Sequence, residues 1–231
     1  MPQIGVITIG QAPRDDMTRA FAPHFGGTGV EVVQRGALDG FTAEEISERF
    51  APRVGSATYV SKLLTGESVE IAKNSIIERM QAHVDELAPT CDAIVIVCTG
   101  DFPMLTSGTP MFFPDRLLVD TVRERGVPGK LGLIVPLPDQ EEVMAEKWEQ
   151  LGAPIAFAHA SPYAASDIEG AARALVAEGA GVIVLDCIGY TKQHAERAAQ
   201  AVAASSDVDV IVPQDLVPEV VAGRLGLTEQ E

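Results

Sequence analysis

The chain has 231 residues, of which 46% are hydrophobic and only 5% aromatic, so its core must be built mainly from aliphatic side chains. Its 17 Lys and Arg against 33 Asp and Glu give a net charge of −16, which disfavours nucleic acids and anionic membranes as partners. No run reaches the roughly 18 apolar residues of a membrane span, and the N-terminus has no signal-peptide pattern. Three cysteines, an odd number, indicate reduced thiols, and we therefore expect a cytoplasmic protein.

Short apolar runs alternate with amphipathic segments in the first half, which is typical of βαβ units with a parallel sheet. This pattern predicts strands at 4–9, 30–33 and 93–97, and helices after Pro13, after Thr42 and over 73–87. Thr42 and Glu45 have capping-box spacing. Residues 58–64 and 69–71 flank a glycine-containing turn and predict a β-hairpin. The Pro- and Gly-rich stretch 100–114 is the candidate crossover between two lobes, and a candidate lid.

The second half repeats the alternation. Strands are predicted at 130–135, 155–158, 181–185 and 208–212, with helices over 139–151, from a capping box at Ser166 to about 178, after Thr191, and at the end of the chain. Gly179 is the predicted stop of the helix that begins near Ser166. The chain is therefore predicted to be α/β, with two similar lobes, 1–113 and 114–231, of mainly parallel sheets flanked by helices. The final helix is allowed to pack back on the first lobe.

Two cysteines follow predicted buried strands at corresponding places in the two lobes. Cys98 follows the strand at 93–97, and Cys187 follows the strand at 181–185. Ligands bind outside the carboxyl ends of the strands in open α/β sheets, and nearby amides favour a thiolate. The alternative is that both are ordinary core cysteines, since cysteine is often buried. Cys91 precedes its strand and is interpreted as structural.

Several residues near the predicted strand ends are candidate substrate contacts. The guanidinium of Arg14 could bind an anion, or Arg14 could be a surface residue at the start of a solvated helix. Asp101 and Asp186 could orient a base or bind a substrate amine. Alternatively, Asp101 could be a turn residue and Asp186 a helix cap. Thr99, Tyr190 and Thr191 could contact a ligand or cap the next element. The predicted substrate-binding set is Gly10, Gln11, Arg14, Thr99, Gly100, Asp101, Gly189, Tyr190 and Thr191.

Metal and cofactor sites are not predicted. The four histidines are dispersed at 24, 83, 159 and 194, and no second spaced pair completes a set of metal ligands with His83 and Glu86. The glycine-rich motif of dinucleotide-binding folds, the phosphate-binding loop of nucleotide hydrolases and the nucleophile elbow of serine hydrolases are all absent. We therefore expect no cofactor.

Three segments carry a resemblance to known proteins: residues 4–14, 97–103 and 185–191. With these segments the chain resembles the AroM family and, more remotely, the aspartate/glutamate/hydantoin racemase superfamily of two-lobed, cofactor-independent enzymes. The superfamily resemblance implies that one cysteine thiolate removes a proton beside a carboxylate while the other thiol returns one, roles that would fall to Cys98 and Cys187. Racemases typically follow the two cysteines with Asn-Thr and Thr-His. This chain has Thr99-Gly100 and Ile188-Gly189 instead.

The resulting hypothesis is a racemase or isomerase that acts on a small carboxylate by two-cysteine proton transfer. A one-cysteine decarboxylase or cis–trans isomerase is a variant of it, and a binding or regulatory protein that keeps the fold without catalysis is the alternative. A cleft lined by the strands ending at Ile9, Cys98 and Cys187, with the two sulfurs about 7–9 Å apart, would favour proton transfer. A homodimer is left open.

Overall fold

In the computed structural model, the described residues are 1–25, 27–204 and 208–227. They divide into two compact units. Unit 1 contains the described residues of Met1–Pro114 and Pro218–Glu231, and unit 2 contains those of Asp115–Val217. None of the helices among these residues is long and apolar enough to cross a membrane.

Unit 1 is built on a four-stranded, all-parallel sheet with strand order β2-β1-β5-β6. Its elements in chain order are β1 (Gln3–Thr8), α1 (Asp15–Phe25), β2 (Glu31–Gly36), α2 (Ala43–Arg49), β3 (Thr58–Lys62), β4 (Ser68–Ala72), α3 (Lys73–Leu87), β5 (Ala93–Val97) and β6 (Met111–Phe112). The predicted hairpin is confirmed: β3 and β4 pair antiparallel in a sheet of their own.

Unit 2 also contains a four-stranded, all-parallel sheet, with strand order β10-β9-β7-β8. Its elements are α4 (Pro114–Arg125), β7 (Lys130–Val135), α5 (Glu141–Trp148), β8 (Ile155–His159), α6 (Ile168–Ala177), β9 (Ala180–Leu185), α7 (Lys192–Val202), β10 (Asp209–Ile211) and α8 (Pro213–Arg224). Helix α4 begins, and helix α8 ends, beyond the limits of this unit. One-turn 3-10 helices at Pro138–Gln140 and Glu149–Leu151 flank α5.

The two sheets have the same topology. In each, the first strand lies between the second and the third, and the fourth lies beyond the third. All five residues of β5 are buried, because helices cover parallel sheets on both faces. The strand order reverses between β1 and β5 in unit 1 and between β7 and β9 in unit 2. Open α/β sheets bind ligands beyond the carboxyl ends of two strands between which the order reverses. The predicted α/β class is confirmed.

The stretch 100–114, predicted as the crossover between the lobes and as a candidate lid, leads into unit 2 at its end but is itself packed. Met111 and Phe112 form β6, which pairs with β5, and Phe102 and Leu105 are buried in the core of unit 1 at 1% and 5% exposure. The stretch is apolar enough to pack, which its Pro and Gly content concealed. It is therefore a packed part of unit 1, and the chain enters unit 2 only at its end.

Helix starts were predicted with mixed success. The capping box at Thr42 is confirmed, since Glu45 N donates to Thr42 Oγ1 at 3.2 Å and Thr42 N donates to Glu45 Oε2 at 2.9 Å. The predicted cap at Ser166 is wrong, because Asp167 accepts from Gly170 N at 2.7 Å and caps α6. Ser166 and Asp167 are both good cap residues, so spacing alone could not choose between them.

Candidate functional site

Each unit places a cysteine in a short loop at the carboxyl end of the third strand of its sheet. We call residues 98–100 and 187–189 the thiol loops. In the first, Cys98 N donates to Ile96 O at 3.0 Å, and Gly100 N donates to Cys98 Sγ at 3.4 Å. Cys98 is 5% exposed.

The second thiol loop repeats this hydrogen-bond pattern. Cys187 N donates to Leu185 O at 2.9 Å, and Gly189 N donates to Cys187 Sγ at 3.5 Å. Cys187 is 8% exposed. In both loops the sulfur accepts from the amide two residues later. An N–H group aimed at sulfur favours negative charge on that sulfur.

Each thiol-loop glycine lies against a tyrosine of its own unit. A Cβ added to Gly100 would lie 2.3 Å from both Cζ and Oη of Tyr59, and one added to Gly189 would lie 2.5 Å from both atoms of Tyr163. Such distances exclude any side chain at either glycine without a shift of the tyrosine. Tyr59 and Tyr163 were missed in the sequence, where the only signal was a glycine two residues after each cysteine.

Asp101 follows the first thiol loop and forms an ion pair with Lys73, the first residue of α3. Lys73 Nζ lies 2.5 Å from Asp101 Oδ1 and 5.8 Å from the ring centroid of Phe102. The lysine side chain is 15% exposed and the aspartate side chain 49% exposed. Asp101 thus has a basic partner inside unit 1.

Asp186 precedes Cys187 and is fully buried. Lys147 Nζ donates to both of its carboxylate oxygens at 2.8 Å, and Trp148 Nε1 donates to Oδ2 at 2.7 Å. The expectation that Asp186 caps a helix is wrong, because Thr191 is the N-cap of α7. Asp186 instead connects the strand end that carries Cys187 to α5.

The residues after β1 are held mainly by residues 34–41, at the end of β2 and after it, and by the hairpin. Gln11 Nε2 donates to Phe41 O, and Gln11 Oε1 accepts from Leu64 N, both at 2.9 Å. A Cβ on Gly10 would lie 2.1 Å from Ser61 Oγ, so glycine is needed where β3 passes. Both predicted contacts, Gly10 and Gln11, therefore have structural roles in joining β1 to the hairpin.

Arg14 is buried and does not begin a solvated helix. Its Nε lies 2.8 Å from Asp16 Oδ1 and a terminal nitrogen lies 2.5 Å from Oδ2. Burial raises the pKa of the Asp16 carboxyl, but the hydrogen bond and charge of Arg14 outweigh burial and leave that pKa lowered. The guanidinium already neutralises one carboxylate, so any substrate anion would share it with Asp16.

The residues around the second thiol loop are also held within unit 2. Tyr190 is 0% exposed and its hydroxyl donates to Ala160 O. Burial, followed by the charges of Cys187 and Asp186, raises the pKa of Tyr190 well above its usual value. Thr191 N donates to His194 Nδ1 at 3.0 Å at the start of α7, and Gln214 Nε2 donates to Ile188 O at 2.9 Å.

The predicted site residues fall into two groups. Those in unit 1 are Gly10, Gln11, Arg14, Cys98, Thr99, Gly100 and Asp101, and those in unit 2 are Cys187, Gly189, Tyr190 and Thr191. Thr99 is buried at 5% exposure. Among the described residues, no cluster of three or more His, Cys, Asp or Glu is arranged to hold a metal ion.

The fold is shared with solved structures of low sequence identity. Unliganded arylmalonate decarboxylase matches with a TM-score of 0.61 and 16% identity, over 97% of this chain and 92% of that one. Allantoin racemase from Klebsiella pneumoniae gives 0.58 and 18%, over 100% and 91% of the two chains. Aspartate racemase from Picrophilus torridus gives 0.58 and 10%, over 100% and 96%.

The two α/β units and their thiol loops thus define a protein with the aspartate/glutamate racemase fold. No curated protein matches the chain in sequence. The family profile described as AroM protein matches residues 4–224, so the chain belongs to the AroM family.

Proposed function

We propose that this protein is a cofactor-independent racemase or isomerase that moves a proton at the carbon beside the carboxylate of a small acid, using Cys98 and Cys187. The observation that carries the proposal is the repetition of one thiol loop at the same topological position in both units. A single buried cysteine at a strand end is common, and Cys98 and Cys187 both pack in the hydrophobic cores of their units. Core packing alone does not require the same amide-to-sulfur bond in both loops, and this repetition supports a shared chemical role.

In the proposed reaction, one thiolate takes the proton from the substrate carbon. The C–H bond breaks, an S–H bond forms, and the electron pair moves into an enolate. The other thiol then gives its proton to the opposite face of that carbon, so its S–H bond breaks and a new C–H bond forms. The amides of Gly100 and Gly189 support whichever sulfur carries the charge.

A one-cysteine reaction is the second candidate, and the fold shared with arylmalonate decarboxylase favours it. In a decarboxylation by this protein, a C–C bond of the substrate would break, CO2 would leave, and one thiol would give its proton to the resulting carbanion. In a cis–trans isomerisation, the third variant, one thiolate would add to the substrate as a nucleophile. Each version needs reduced thiols, consistent with three free cysteines and with the expected cytoplasmic location.

The proposal is tested by incubating the wild-type protein with a panel of small chiral carboxylates and substituted malonates in heavy water. We expect one carboxylate to gain deuterium at the adjacent carbon and to lose optical purity, as followed by NMR and chiral chromatography. Release of CO2 with a single deuterium incorporated would support the decarboxylase instead. A carboxylate that binds without any exchange or conversion would point to a regulatory binder and contradict catalysis.

A further inference from the structure

We propose that Tyr59 and Tyr163 are substrate-recognition residues. The hydroxyl of each tyrosine donates a hydrogen bond to a carboxylate held at the thiol loop of its own unit. This inference rests on the proposed function and deepens it by naming the side chains that recognise the acid. No motif or spacing in the sequence singles out either tyrosine.

In unit 1, the hydroxyl end of Tyr59 is the part of the ring that reaches the loop. Measured from the Cβ position of Gly100, Oη and Cζ lie at 2.3 Å and Cε1 at 2.8 Å. The ring is oriented by Phe102, whose centroid lies 5.8 Å away at an interplanar angle of 59°. Tyr59 is 5% exposed, so its hydroxyl lies where little water competes for a hydrogen bond.

In unit 2, Tyr163 reaches the loop in the same way. Measured from the Cβ position of Gly189, Oη and Cζ lie at 2.5 Å and Cε1 at 2.8 Å. The start of this segment is held by Tyr163 N, which donates to Ser161 Oγ at 3.2 Å. Each unit therefore brings together a thiol, an amide that donates to its sulfur, and a phenol hydroxyl.

The two tyrosines come from different local structures. Tyr59 lies in β3 of the hairpin, whereas Tyr163 lies in the connection between β8 and α6. Both connections run from the second to the third strand of a sheet, but only unit 1 contains a hairpin among the described residues. A strand in one unit and a loop in the other thus place a tyrosine hydroxyl beside the thiol-loop glycine. This recurrence on different local structures indicates that the hydroxyl itself is needed. A phenol donates readily to an oxyanion.

Two alkylating agents of similar size separate recognition of the carboxylate from reactivity of the thiol. Iodoacetate carries a carboxylate and iodoacetamide does not, and mass spectrometry resolves the rate at each cysteine. In Tyr59→Phe, we expect the iodoacetate-to-iodoacetamide rate ratio to fall about tenfold at Cys98, since a hydrogen bond to a charged group is lost. The ratio at Cys187 of the same molecules should stay unchanged, which also confirms folding. Tyr163→Phe should show the reciprocal pattern.

Two results would overturn this inference. One is an unchanged rate ratio at the adjacent thiol, which includes equal slowing by both reagents and would then mean that the hydroxyl acts on sulfur alone. The other is a ratio lowered equally at both thiols. Thiols inert to both reagents in the native wild type would contradict the tyrosine role and cysteine catalysis together. The ratio does not depend on turnover. If the wild type exchanges deuterium but the iodoacetate-to-iodoacetamide ratio is unchanged in the tyrosine variants, only the tyrosine role is contradicted. If that ratio falls but no substrate exchanges deuterium, only the proposed reaction is contradicted.

Discussion

Lys147 and Asp186 form a buried ion pair directly before the second thiol loop, with the Lys147 side chain 9% exposed and that of Asp186 0% exposed. Trp148 adds a third hydrogen bond to the carboxylate. Desolvated charges are stable only when they are paired, so each partner depends on the other. The pair fixes Asp186, the residue before Cys187, to α5. The ion pair that stabilises unit 2 therefore also helps to hold Cys187 in position.

Replacing the lysine of this pair should be costly. Lys147→Met leaves the Asp186 carboxylate buried without a counter-charge, and we expect a loss of about 3–5 kcal/mol in the free energy of unfolding by urea. Lys130→Met is the matched control, since Lys130 lies 3.6 Å from Glu178 in an exposed pair and should cost at most about 1 kcal/mol. Equally small losses in both variants would show that the buried pair does not stabilise unit 2.

The contact between Gly100 and Tyr59 predicts a size limit at the thiol loop. Gly100→Ala forces its Cβ against the tyrosine ring, and we expect about 1–3 kcal/mol of destabilisation from this overpacking. Gly108→Ala in the same stretch is the control, because a Cβ there meets nothing within 4 Å. In a Tyr59→Leu background the cost of Gly100→Ala should shrink, and an unchanged cost in this double-mutant cycle would contradict the contact.

The three thiols should differ in reactivity. Burial raises the pKa of the Cys91 thiol above its usual value, and Cys91 lies under β1 against Gly5. Backbone amides donate to the sulfurs of Cys98 and Cys187, which favours their thiolates, so iodoacetamide at neutral pH should label one of these two faster than Cys91. Site-resolved mass spectrometry of the native protein measures the three rates. Labelling of Cys91 first, or of none of the three, would argue against an activated thiol.

Protonation of His194 should weaken unit 2 in mild acid. Burial, followed by the charge of Arg197, lowers the pKa of His194, and its Nδ1 must stay unprotonated to accept from Thr191 N. The unfolded chain binds this proton more tightly, so the stabilisation is complete above about pH 6.5 and is lost as the pH falls towards the lowered folded pKa. His194→Gln should flatten the dependence of the urea midpoint between pH 7.5 and 5.5. An unchanged slope would exclude this linkage.

Local pattern was sufficient to predict most of the fold. The apolar runs at 93–97 and 130–135 were placed at the observed strand bounds, and the hairpin followed from its turn. Strand order was not predictable, since it depends on pairing between distant segments. The weak run at 111–112 became a strand only because the edge of β5 was available to pair with it.

The site was predicted less completely for the same reason. The position of both cysteines after strands was predicted correctly, because a strand end is a local feature. The partners of the thiol loops lie far along the chain. Lys147 is 39 residues from Asp186, and Tyr59 precedes Gly100 by a hairpin, a helix and a strand. Gln11 and Thr191 have a residue type suited to either a ligand contact or a structural bond, and only the fold shows the structural bonds.

Deuterium exchange by the two single-serine variants tests cysteine proton transfer most directly. Serine keeps the shape of cysteine, but its hydroxyl ionises far less readily. Cys98→Ser and Cys187→Ser should each slow interconversion in both directions by about 10²-fold or more. Each should still exchange the substrate proton with heavy water from the side of the surviving thiol. One variant near wild-type activity would indicate a one-cysteine decarboxylase, and full activity in both variants would contradict cysteine catalysis.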